Sequence, residues 1–304
     1  SEEPAENEPE KPVITRMELW RGSLAGTRMP LRKATSAGIG VVLDRSMELS
    51  LPDGPYAFRM IRGPEYRVVT GTFVLERSSS DSHAVQLPRT VKMIRHGWTS
   101  GDCCVPASNQ SLPLRMAAED LHVAAALGHV AAKPIPNRGH DDPIEHQPTW
   151  IREDVTHHGG LVFYGSSDLD ASRLPSELLA SNNVATHVAI ENAFAWPLPV
   201  WLSCGRVDGF FVLGDWLRLD RPVKRVTDGR ASPRQRGDIG TEIGQWAYDV
   251  YINILESGIK IPPLAGSGSD GKLTPVGYNR LYVVEPDSSS SSSEPDTATA
   301  SSEA

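Results

Sequence analysis

At 304 residues with 39% hydrophobic content, the chain is long enough to bury one large core or two ordinary ones. Its formal charge of −8 sits in the ends: residues 1–11 carry five Glu against one Lys, residues 285–304 carry five acids and no base, and subtracting their −9 leaves about +1 for residues 12–284. A nearly neutral body excludes a protein that neutralises phosphates with its whole surface, and no apolar run approaches the ~18 residues that span a bilayer.

In chain order, residues 1–11 read as an acidic flexible arm, and residues 12–133 as a β-rich first half that ends in a helix. The short β-branched or aromatic runs at 14–20, 38–44, 56–62 and 66–76 predict strands. Pro-Asp-Gly at 52–54, Arg-Gly-Pro at 62–64 and the Ser-rich 77–82 punctuate them, and turns this short favour antiparallel pairing. Residues 114–133, opened by Pro113 and stopped by Pro134, predict an Ala-rich packing helix, with His122 and His129 on similar faces of it.

A Pro- and His-rich connection is expected over 134–159, followed by a second β-rich half over 160–284. Strands are predicted at 160–165, 184–190, 198–207 and 209–219, with Asp208-Gly209 as a tight hairpin turn and a short helix within 172–183. Residues 241–258 satisfy both a helical stripe (Ile243, Trp246, Ala247, Val250, Ile254) and a strict alternation (Trp246, Tyr248, Val250, Ile252, Ile254). Their density of aromatic and β-branched residues favours a strand. A last strand is predicted at 278–286, and residues 285–304 form a Ser-rich acidic tail. The fold class expected is α+β, predominantly antiparallel β, sandwich-like or jelly-roll-like, with one clear helix near 114–133.

Three cysteines, Cys103, Cys104 and Cys204, give no even disulfide framework and no C-x-x-C pair, which suits reduced thiols in an intracellular, soluble protein without a signal peptide. Cys103-Cys104 near His96 suggests a thiol and base but lacks an orienting partner, so two ordinary thiols are expected. Phosphate-binding Gly loops, H-E-x-x-H, G-x-S-x-G and zinc-finger spacings are absent.

Residues 137–160 hold four of the nine histidines. Of these, His140-x-Asp142 has the spacing of two metal ligands, with His187 as a distal third on a predicted strand. The order His140-x-Asp142, Gly159-Gly160 before a strand, His187, then Arg206 resembles 2-oxoglutarate-dependent oxygenases over about 70 residues. The resemblance implies Fe(II) on His140, Asp142 and His187, with Arg206 facing a co-substrate carboxylate. A zinc set of His146, His157, His158 and Cys204 is opposed by strand geometry, because adjacent His157 and His158 point to opposite faces.

Phe194, Trp196, Trp201, Phe210, Phe211 and Trp216 read as core before binding platform. A basic strip follows at Arg218, Arg221, Lys224, Arg225, Arg230, Arg234 and Arg236, placed to meet an acidic partner or, more weakly, nucleic acid. Acidic ends, a neutral β-rich body and strand edges together lead to the first functional expectation. This is a non-enzymatic structural or interaction protein of a self-assembling complex without a cofactor, a viral capsid or shell protein being its concrete form and other copies or subunits its partners. The iron oxygenase is the alternative.

Overall fold

The computed structural model describes residues 12–31, 34–77, 80–106, 111–128, 150–166, 169–181, 185–216, 240–269 and 273–284. Strands β1 (Ile14–Arg21), β2 (Thr27–Arg28), β3 (Ser36–Ala37), β4 (Gly40–Asp44), β5 (Gly54–Ile61) and β6 (Val69–Leu75) form one antiparallel sheet. Its order is β3-β4-β1-β5-β6, with β2 on the outer part of β1. The β-branched runs and the turns at 52–54 and 62–64 produce β1, β4, β5 and β6 as expected.

A second sheet of eight strands contains β7 (Trp98–Pro106), β8 (Val123–Leu127), β9 (Trp150–His158), β10 (Leu161–Tyr164), β11 (His187–Ile190), β12 (Gly209–Leu213), β13 (Pro263–Ala265) and β14 (Leu281–Val284). The order is β13-β12-β11-β10-β9-β8-β7-β14. Tracing the pairings, β7, β8, β9, β11, β12 and β13 run one way, while β10 and β14 run the other. The sheet curls until its ends nearly meet, and Gly268 N–H donates to the Cys104 carbonyl at 3.0 Å. Over both sheets eight pairings are antiparallel and four parallel, so the fold is α+β and predominantly antiparallel.

Helix α1 (Leu112–Ala118) packs between the sheets: Leu112 and Met116 join Val105, Leu121 and Val276, while Ala117 and Ala118 join Ile14 and Val42. Helices α2 (Pro175–Ala180), α3 (Leu198–Ser203) and α4 (Gly240–Glu256) follow. The largest core lies in the second sheet, where Phe210 stacks on Tyr251 and Phe194 on Trp246 at 4.2 Å.

Four stretches differ from the sequence expectation. The helix expected over 114–133 ends at Ala118, because Glu119 and Asp120 turn into ion pairs and Asp120 takes φ +50. VAAAL then becomes β8, where small side chains suit a strand with neighbours on both sides and burial overrides helix propensity. Residues 198–207, expected as a strand before an Asp-Gly hairpin, hold α3, and β12 pairs parallel to β11. Asp208 serves as an anchor instead: its carboxylate accepts from Val188 N–H, and its own N–H donates to the Val188 carbonyl.

Residues 241–258, expected as a strand, lie in α4 as far as Glu256. Burial follows Ile243, Ala247, Tyr251 and Ile254 at helical spacing, and Tyr248 is exposed. Part of the expected connection, 150–158, is β9, which turns into β10 through Gly159 (φ +59) and Gly160 (φ +90), the two positive angles a tight hairpin of this hand needs. No helix among the described residues is long and apolar enough to cross a membrane.

Candidate functional site

The C-terminal ends of parallel strands gather at one rim of the curled sheet, where loops commonly place functional groups. On this rim β9 carries His157, the end of β11 leads to Glu191, and the end of β12 leads to Asp215. His157 Nε2 lies 3.3 Å from Glu191 Oε2, and the hydrogen bond to Glu191 raises the imidazole pKa despite partial burial. Asp215 adds to that field.

Beneath the rim, Asp102 on β7 is fully buried. Its carboxylate accepts from Cys104 N–H (3.2 Å), Ser267 N–H (2.9 Å), Ser267 Oγ–H (2.5 Å) and Gly277 N–H (2.8 Å). Burial pushes its pKa up, and the Ser267 and Gly277 donors pull it back without cancelling the rise. Three of these donors come from residues 165 and 175 positions away and make this carboxylate a staple between β7 and the segment after β13. Neither Asp102 nor Glu191 stood out in the sequence. The usable signal was the small-residue run Ala265-Gly-Ser-Gly-Ser269, whose serines are buried and bonded.

Burial, reinforced by Asp102, pushes the Cys103 thiol up to about 12, and Cys104 lies well above its ordinary range for the same first cause. Both are therefore poor nucleophiles at neutral pH. His96 precedes β7, at the strand end remote from them. Cys204 is exposed at the end of α3.

Of the iron-ligand set, His187 starts β11 at the opposite rim, exposed, with Nδ1 3.7 Å from Asp208; His140 and Asp142 lie outside the described residues. Arg206 donates to the carbonyls of Leu179 and Ser181 at the end of α2. His157 and His158 diverge as the strand pleat requires, toward Glu191 and the Arg173 carbonyl, and His146 lies outside the described residues. His122 sits buried with Nδ1 2.7 Å from Ser100 Oγ, and His129 lies outside the described residues. Among the described residues no group of three His, Cys, Asp or Glu is arranged to hold a metal ion. The basic strip, Arg218, Arg221, Lys224, Arg225, Arg230, Arg234 and Arg236, lies outside the described residues as well. The aromatic cluster is core as expected, except that Trp196 is 67% exposed.

The surface of the first sheet offers a second candidate. Beside β1 and β4 a cleft of about 350 Å³ is lined by Met17, Leu19, Met29 and Ile39, and its Glu18 is already bound to Arg16 and Arg59. At the end of that sheet, β6 exposes Thr70, Thr72 and Val74 on one face, continuous with Val68. Its register with β5 is unbroken from Val69 to Leu75. Among the described residues no backbone hydrogen bond joins the outer edge of 69–75 to another segment.

Comparison with known proteins adds no relative: no family model, no curated protein and no solved structure matches this chain.

Proposed function

We propose that this chain is a non-enzymatic interaction protein, a subunit of a self-assembling complex that works through an exposed strand edge. The observation that supports this reading most is β6. From Val68 to Leu75 the sequence VVTGTFVL has no charge and no proline, and Val68 and Val74 are 54% and 62% exposed. Native edge strands are usually short, charged, bulged or covered, because an open ladder pairs with whatever strand reaches it. The returning segment bridges Tyr66 through Arg89 and sets His83 against Phe73, but among the described residues none hydrogen-bonds to the outer edge of Val69–Leu75, and an open ladder of this kind suits a protein whose partner supplies a strand.

The acidic ends and the basic strip at 218–236 add opposite charges within one chain, which copies of it can exchange. Closed shells of repeated copies, capsids included, belong to this class of assembly, and a virion would then be the place of action. Light scattering on the full chain over a hundredfold range of concentration tests the reading. An oligomer that dissociates on dilution is the expected result, and a monomer throughout removes it.

A further inference from the structure

We infer that β6 is a two-fold seam between two copies of this chain, its outer edge lying antiparallel to itself about an axis through Gly71. The inference rests on the assembly reading and supplies its partner and register.

A two-fold axis perpendicular to a sheet places opposing side chains on the same face, so only registers centred on a residue are permitted. Centred on Gly71, the seam sets Val68 opposite Val74 and Thr70 opposite Thr72 on the exposed face. On the other face Val69 meets Phe73, and Gly71 meets its own copy. Valine pairs with valine, threonine hydroxyls meet each other, and every pair is one that stabilises neighbouring strands. The Gly71 pair is not left bare: the Phe58 ring of β5 lies where a Cβ on Gly71 would be, 2.5 Å from that position, and covers it.

The neighbouring registers are worse. Centred on Thr72, Arg67 would oppose Arg77, two like charges face to face. Centred on Thr70, the seam would be shorter and would recruit Tyr66, which already bridges to Arg89 while Arg67 N–H donates to the Pro88 carbonyl. Charge is compatible with this direction, with Arg67 opposite Leu75 and Glu76 opposite Tyr66 in this register. The uncharged run is flanked by Arg67 at one end and Glu76 at the other, so antiparallel copies bring opposite charges to each end of the seam. Parallel copies would put Arg67 beside Arg67 and Glu76 beside Glu76. The product is one continuous sheet with five strands on the main path of each copy.

The test uses the full chain, with dissociation followed by sedimentation or light scattering. Val74→Lys places an ammonium against Val68 of the other copy and should weaken the dimer at least about tenfold. Val68→Glu combined with Val74→Lys places each carboxylate opposite an ammonium in this register and should restore it to within about threefold of the native chain. Assembly that survives Val74→Lys unchanged overturns the seam and leaves the assembly reading standing. A single variant that dissociates without rescue by the double variant overturns the register, and a native chain that is monomeric throughout overturns both.

Discussion

The two sheets treat their ends differently. The second sheet curls until β13 approaches β7, joined by Gly268 N–H to the Cys104 carbonyl and by the Asp102 staple to Ser267 and Gly277. Its remaining end strand, β14, is only four residues long. The first sheet ends on one side in β3, two residues long, with the following Gly38 tight against Thr274 and Pro275. On the other side it ends in β6, seven uncharged residues in unbroken register. Closure, brevity and cover are the usual ways to remove an edge. Among the described residues no backbone hydrogen bond reaches the outer edge of Val69–Leu75, though the returning segment bridges Tyr66 through Arg89 and sets His83 against Phe73, and the proposed seam rests on that open ladder.

The contrast can be broken from its closed side first. Asp102→Ala leaves the amides of Cys104, Ser267 and Gly277 buried without their acceptor and should cost about 3–5 kcal/mol, read as a lowered urea midpoint. Retention of native stability would mean that Asp102 does not hold the curled sheet together. Gly38→Val should cost about 2 kcal/mol, because φ is +67 and a Cβ would come within 2.5 Å of Pro275 N. Calorimetry of that variant checks whether the covered edge depends on this contact.

At the open edge the same measurement should barely move. Val74→Lys touches no core group and should change monomer stability by no more than about 0.5 kcal/mol, in contrast to its effect on association. A large loss of stability would mean that Val74 is packed and not exposed.

The smallest effect concerns the rim. Glu191 raises the His157 pKa above its free value of about 6.5, so the pair's contribution to stability is full below that value and is lost as pH rises through the folded pKa. Glu191→Gln should therefore lower the His157 pKa in an NMR titration, and its Tm deficit should be greater at pH 6 than at pH 8. An unshifted titration would remove the pair.

The sequence made β1, β4, β5 and β6 legible because local pattern and turn chemistry agree there. VAAAL misleads because alanine favours a helix in isolation, while its place between β7 and β9 rewards small side chains in a strand. Residues 241–258 carry both periodicities, and their length should have decided for a helix: α4 runs 17 residues, well beyond an ordinary strand. Gly159-Gly160, at the boundary between the expected connection and the strand predicted from residue 160, was a hairpin signal. The rim and the staple beneath it were not legible, because His157 meets Glu191 and Asp102 meets Ser267 only in the folded sheet. The uncharged run at β6 was readable, but its position at the end of the sheet was not.

Hydrogen exchange over residues 68–74, measured in the native chain at low and high protein concentration, reads the seam directly. Exchange in this strand should slow with concentration while β5 stays unchanged, since a second copy supplies the outer ladder. Exchange in 68–74 that is the same at every concentration would contradict the seam.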